Sequence, residues 1–359
     1  MHSTVIPKIA SKSGLQNKPQ ESKWIQQNLP SYRPQYSFIC SISFIICIGI
    51  GCLVMTLVIM INLNTMEEIS IDYTDCYKEN ISKIIEKDEK YILSYHKTTF
   101  DEYNNTICTF RFELLKEIKG NIIFQYSLHK FYQNWKSYFD DRSDYQLEGH
   151  PQSIDGCKKF KIDQKTQLPI APCGSIANTM FNDTFKLLIF DNQNYLYQIP
   201  WDAEDIIWSI DKKKKFKNPK IKKGQTLCDA FSNTTKPPNW RTEICKLGNN
   251  DTGYGFQNVD FIIWMKSAAL PKFRKNYRSL IQKDKMFKNG LPIGLYQLDI
   301  NYSYNVESYN ATKRFIITTS GLLPSKNNFL YKAYAVITGF LFGSAIIFGI
   351  LDFINKKII

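Results

Sequence analysis

The chain has 359 residues and a formal net charge of +13, with 43% hydrophobic and 14% aromatic residues. That apolar content excludes intrinsic disorder and is enough to fill a sizeable core. Two long charge-free runs exclude an ordinary soluble protein, and four histidines leave little material for histidine-based metal or acid–base sites.

Residues 1–35 carry Lys8, Lys12, Lys18, Lys23 and Arg33 against Glu21 alone. The first charge-free run follows at 36–61, rich in Ile, Leu, Val, Phe and Cys. A helix needs about 20 such residues to cross a bilayer. A cleaved signal peptide is a poor fit, because its apolar core is usually ~7–15 residues and a small-residue cleavage site follows it. The run therefore reads as a signal anchor. The far side opens with Glu67, Glu68, Asp72 and Asp75, so the positive-inside rule places the N-terminal tail in the cytosol. A second run, 333–351, returns the chain, leaving 352–359 as a cytosolic tail and 62–332 as one lumenal or extracellular domain. Lys356 and Lys357, fourth and third from the end, suit either a dilysine retrieval signal to the endoplasmic reticulum or ordinary flanking charge. Gly339 and Gly343 form a GxxxG in the second run, and Gly49 and Gly51 lie in the first, where small residues let helices approach closely.

Cys40, Cys47 and Cys52 fall inside the first span, as small hydrophobes. The other six, Cys76, Cys108, Cys157, Cys173, Cys228 and Cys245, all lie in the 62–332 domain. An even count in an oxidising compartment points to three disulfides; six cysteines allow 15 connectivities, of which pairing of sequence neighbours is the simplest. No CxxC spacing supports zinc. Asn-x-Ser/Thr acceptors stand at Asn80, Asn104, Asn182, Asn233, Asn250, Asn301 and Asn310, all within the same domain.

Runs such as 122–126, 186–190, 296–302 and 314–318 are rich in β-branched and aromatic residues and read as strands. Residues 260–269, broken at Pro271, read as a helix, with a second helical piece at 272–281. The expected fold is a mainly antiparallel, sandwich-like β domain with helical insertions and disulfides, flanked by two transmembrane helices. Enzyme signals are lacking: no GxSxG, HExxH, Walker A or GxGxxG occurs, and His96, His129 and His150 are scattered. We expect no catalytic residue, no cofactor and no metal. The acidic group Asp140, Asp141, Asp144 and Glu148 lacks calcium-loop spacing and reads as a solvated loop. The eight lysines of 212–223 also read as a solvated loop, or as a contact for an acidic partner or lipid headgroups. The topology removes them from nucleic acid.

Residues 172–185 spell PCGSIANTMFNDTF. Upstream come KGNIIFQYSLHKFYQNW (119–135) and DDRSDYQLEG (140–149), and downstream TTKPPNW (234–240), DFIIWMKSAALPKFRKNYR (260–278) and LPIGLYQLDINYSYNV (291–306). WIQQNLPSYRP (24–34) precedes the first span. From about residue 24 to 351 the chain resembles the cell cycle control protein 50, or ligand-effect modulator, family. The resemblance implies a non-catalytic β subunit that forms a heterodimer with a type-IV P-type ATPase, a phospholipid flippase. Such a subunit supports folding of the pump, its exit from the endoplasmic reticulum and its transport cycle, including aminophospholipid translocation to the cytosolic leaflet. The endoplasmic reticulum, Golgi, endosomes and plasma membrane are the implied locations, with membrane lipids as surroundings.

The resemblance also implies disulfides Cys157–Cys173 and Cys76–Cys108, and glycosylation at Asn182 and Asn301. It marks Gln26, Gln27, Leu29 and Pro30 as a cytosolic partner-contact motif. Four positions depart from the family pattern. Asn328 stands where a proline is usual before the second span, Tyr32 replaces another aromatic, and Cys228 and Cys245 have no counterpart. A cell-surface receptor or adhesin with a disulfide-bonded ectodomain is the alternative from another functional class.

Overall fold

The computed structural model describes residues 22–25, 27, 37–78, 83–102, 105–191, 193–203, 206–321, 326 and 328–358. By contact the chain divides into two compact units: the described parts of 1–56 with 332–359, and residues 57–331.

Helix α1 spans Phe38–Thr65 and begins where the Ser37 hydroxyl accepts the amide of Cys40 at 3.2 Å. Helix α7 spans Phe329–Ile358 and ends with Lys356 paired to Asp352 at 2.7 Å. Both run beyond the charge-free stretches that announced them. At about 1.5 Å per residue each exceeds the roughly 30 Å hydrocarbon thickness. Only 17% of the most apolar window of α1 is buried, and 11% of that of α7. Core helices of a soluble fold would be covered, so these are surfaces made for lipid or for other helices.

Residues 57–331 are built on two antiparallel sheets. The first has the order β1 (Glu68–Asp72), β15 (Thr312–Thr319), β6 (Ile122–His129), β12 (Lys272–Leu280) and β9 (Trp201–Asp202). The second has the order β2 (Lys83–Lys87), β3 (Tyr91–Phe100), β4 (Thr106–Leu114), β14 (Gly294–Tyr302), β7 (Thr184–Phe190) and β8 (Leu196–Gln198). Two-residue ladders add β5 (Ile118–Lys119) with β13 (Gly290–Leu291), and β10 (Gly248–Asn249) with β11 (Gly253–Tyr254). The four runs expected to be strands lie within β6, β7, β14 and β15.

Inward residues of the two sheets meet in one core. Phe185 of β7 sits edge-on to Tyr277 of β12 at 5.0 Å and 4.7 Å from Phe315 of β15. Within the second sheet Phe112 and Tyr296 stack at 5.0 Å. Burying one such phenylalanine side chain contributes about 1.5–3 kcal/mol, and among the described residues thirteen of them are buried in one continuous cluster.

Helix α6 (Val259–Met265) is shorter than the run 260–269 and ends at Lys266. The expected second helix at 272–281 is instead strand β12. Its residues alternate, with Phe273, Lys275 and Tyr277 buried and Lys272, Arg274 and Asn276 turned outward, a period of two that a helix cannot satisfy. A bulge between Asn276 and Arg278 then shifts the phase so that Leu280 returns to the core.

Two long connections cover one side of these sheets. The link from β6 to β7 holds α2 (Lys136–Phe139), α3 (Asp144–Leu147) and α4 (Ser175–Asn178). The link from β9 to β12 holds α5 (Leu227–Ala230) and α6. They are tied together by Trp264 Nε1 donating to the Ile176 carbonyl at 2.8 Å and Trp240 Nε1 to that of Ala177 at 2.7 Å.

Candidate partner-contact domain and its structural sites

The motif 172–185 is held from below by Asp141, which is fully buried and so departs from the solvated loop expected of the acidic group. Its Oδ1 accepts the amides of Lys158 and Lys159, and its Oδ2 accepts the amide and hydroxyl of Ser175. Four donors compensate the cost of burying the carboxylate. Asp140, Asp144 and Glu148 remain exposed. Gly174 has φ +94, and a Cβ there would collide with the Asp141 carbonyl; only glycine fits. Gln146 works beside it, donating to the carbonyls of Pro151 and Ile170 and accepting the Cys173 amide.

Asp183 and Lys313 form a second buried centre, both with 0% of the side chain exposed and 2.7 Å apart. Asp183 also accepts the Tyr73 hydroxyl and the amides of Ser303 and Tyr304. The Lys313 ammonium donates to the Tyr304 carbonyl and lies 3.3 Å from the centre of the Tyr302 ring. Burial pushes the lysine down to about 8, and Asp183 works against that shift. The pair joins residues 130 apart. Sequence reasoning missed it; the signals were an aspartate inside the acceptor Asn182-Asp183-Thr184 and a lysine opening an apolar strand.

Lys275 is the third. It reaches the C-terminal end of α6, donating to the carbonyls of Ile263, Trp264 and Lys266, which have no partner within the helix. Desolvation, with Lys266 adding repulsion, brings its ammonium down to about 7. Lys266 itself pairs with Asp211 at 2.8 Å, as does Lys215 at 3.1 Å. The lysine-rich stretch is therefore not a free loop. Asp211, Phe216 and Pro219 are buried and anchor it, while Lys212, Lys213, Lys214 and Lys215 stay exposed.

The six domain cysteines are joined as Cys76–Cys108, Cys157–Cys173 and Cys228–Cys245. Glu243 lies beside the last pair, but sulfurs bonded to each other offer no thiolate to a metal. Cys40, Cys47 and Cys52 are free thiols on α1.

Asn182, Asn233, Asn250 and Asn310 are exposed and Asn301 is half-buried. Asn80 and Asn104 lie outside the described residues. Strand pairing sets Thr184 opposite Asn301, so two acceptors flank the Asp183 centre, on the rim of a cleft of about 520 Å³. Of the motif expected to contact a partner, Gln27 is described and exposed; Gln26, Leu29 and Pro30 lie outside the described residues. Gly339, Gly343 and Gly51 face open space, whereas a Cβ on Gly49 would meet the Phe342 ring at 3.1 Å. The close approach that small residues permit is thus at Gly49, not at the GxxxG.

These motifs, so interlocked, can be set against known proteins. Residues 42–358 match the model of the LEM3 (ligand-effect modulator 3) family / CDC50 family. Cell cycle control protein 50A of Bos taurus is 36% identical over 332 residues, covering 89% of this chain and 85% of the relative. Cell cycle control protein 50B of Homo sapiens is 33% identical, covering 89% and 90%. The phospholipid-transporting ATPase accessory subunit CRF1 of Saccharomyces cerevisiae is 30% identical, covering 95% and 87%. The chain belongs to the CDC50/LEM3 family. With two apolar helices around the β domain, this CDC50/LEM3 chain is a membrane protein.

Proposed function

We propose that the chain is the non-catalytic accessory subunit of a type-IV P-type ATPase that moves phospholipid, required for the pump's folding, its exit from the endoplasmic reticulum and its transport cycle. The observation that carries this is the match along 95% of the chain to a protein named as a phospholipid-transporting ATPase accessory subunit. The architecture suits the role. Two helices with open apolar flanks offer lateral packing in lipid, and a disulfide-bonded domain offers a stiff cap for a partner's loops.

In this reading both tails are cytosolic, and 62–332 is lumenal or extracellular, with sugar on the exposed asparagines, Asn182 foremost. Final residence in the Golgi, endosomes or plasma membrane, and a role for Gln26, Gln27, Leu29 and Pro30 in touching the pump, belong to the same proposal.

Purification in mild detergent tests it. A P-type ATPase that forms an aspartyl-phosphate should co-purify in equal amount, and depleting the subunit should trap that pump in the endoplasmic reticulum. A chain that purifies alone and whose loss leaves every P-type pump correctly placed and active would refute the proposal. Protease added to sealed microsomes should trim only the two tails.

A further inference from the structure

One cleft in the β domain shares Lys266 and Lys275 with the contacts described above and is otherwise separate from them. It encloses about 940 Å³ on the outward face of the first sheet and is lined by His129, Lys266, Lys272, Arg274, Lys275 and Lys326, with no acidic side chain in its described wall. Not all of this charge is available. Arg274 is held by both carboxylate oxygens of Glu68, Lys266 by Asp211, and Lys275 by the α6 carbonyls. Lys272, His129 and Lys326 are exposed, and His129 and Lys272 are directly paired across β6 and β12, which puts their side chains on the same face.

The opposite wall is apolar: Ile206, Ile207, Ile263 and Leu270. Leu270 is largely exposed, and Trp208, 74% exposed, lies under the Lys266 ammonium at 5.2 Å. Tryptophan beside lysine is the composition of a membrane–water boundary.

Chain continuity supplies the location. Lys326 and Asn328 belong to the cleft wall, α7 starts at Phe329, and the charge-free run starts at Ala333. At 1.5 Å per residue those four helical steps span about 6 Å, the depth of a headgroup layer.

We propose that this cleft binds the phosphate-bearing headgroup of an anionic phospholipid in the leaflet that α7 enters. Lys272, His129 and Lys326 hold the anion, and Leu270, Ile206 and Ile207 line the side that meets glycerol and acyl carbon. The inference stands on the membrane character of α7 and not on the identity of the pump.

The test uses the full-length chain in phosphatidylcholine nanodiscs containing a headgroup-photoreactive phosphatidylserine or, in parallel, the matching phosphatidylcholine probe. The phosphatidylserine probe should label the 263–276 segment about tenfold more than its zwitterionic counterpart. Unlabelled phosphatidylserine should suppress that signal, and inorganic phosphate should not. Lys272→Glu with Lys326→Glu should lower it about tenfold, and the neutral pair K272Q/K326Q should lower it to a smaller degree. Lys159→Glu with Lys161→Glu, in the Cys157–Cys173 loop, should leave it intact.

Equal labelling by the two probes would overturn the proposal, as would labelling that survives both cleft variants. Protection by inorganic phosphate as strong as that by lipid would make this a free-anion site. Carbodiimide coupling of Lys272 to an acidic segment of another protein, in place of lipid labelling, would make it a protein interface.

Discussion

The β domain and the pair of membrane helices are stabilised in opposite ways. In the domain, charges have been taken inside and each is met by a specific partner: Asp141 by four donors, Asp183 by Lys313, Lys275 by three carbonyls. Three disulfides brace the same domain. Along α1 and α7 almost nothing is specific. Ile39, Phe44, Ile61, Val336, Phe340 and Ile346 project outward with no cover, and their backbone hydrogen bonds are complete within each helix. The domain holds its own shape, while the helices offer area. A chain built that way can carry a fixed surface to a partner and still pack laterally against whatever the bilayer presents.

Substitutions should separate the two regimes. Lys313→Met leaves Asp183 buried without its counter-charge and should cost about 3–5 kcal/mol, read as loss of folded protein and a lower thermal midpoint of the full-length chain in detergent. Adding Asp183→Asn should recover a large part of that loss. Cys157→Ser opens a bridge spanning 16 residues and should cost about 3 kcal/mol, a difference that disappears when both proteins are measured reduced.

Lys275→Met uncovers the end of α6 and should cost about 1–3 kcal/mol. Because the folded state lowers this lysine from 10.5 to about 7, the unfolded chain holds more protons between those values. Stability therefore rises with pH across that window. Wild type should gain on K275M between about pH 7 and 10; Lys313 titrates with the same sign in both proteins and cancels in the difference. The smallest effect belongs to the helices. Phe340→Leu, at a position 75% exposed, should change the unfolding midpoint by less than about 0.5 kcal/mol equivalent while lowering recovery of the co-purifying ATPase. If F340L cost as much as K313M, the contrast between the two regions would collapse.

Local chemistry made part of this legible in the sequence. Charge-free runs marked α1 and α7, because lipid tolerates few ionised side chains. Runs rich in β-branched and aromatic residues marked strands β6, β7, β14 and β15. Lys272–Leu280 was misread because Lys275, turned into the core, hides the alternation that Phe273 and Tyr277 keep. The lysine's partners are carbonyls, which leave no trace in side-chain chemistry. Asp141 was misread because three exposed acids surround it, and nothing local says which of the four turns inward. The Asp183–Lys313 pair depends on strands β7 and β15 being brought to one core, and pairings across such separations are set by topology rather than by composition. The cationic cleft has the same origin: its residues come from β6, β12 and the approach to α7.

Strand β1 follows α1 after only Met66 and Glu67, and pairs along its whole length with β15, the last strand before α7. Incoming and outgoing legs are therefore stitched side by side, with Glu68 opposite Thr318 at the end nearer both anchors. A sideways pull on the legs would load that ladder from its end, one rung at a time.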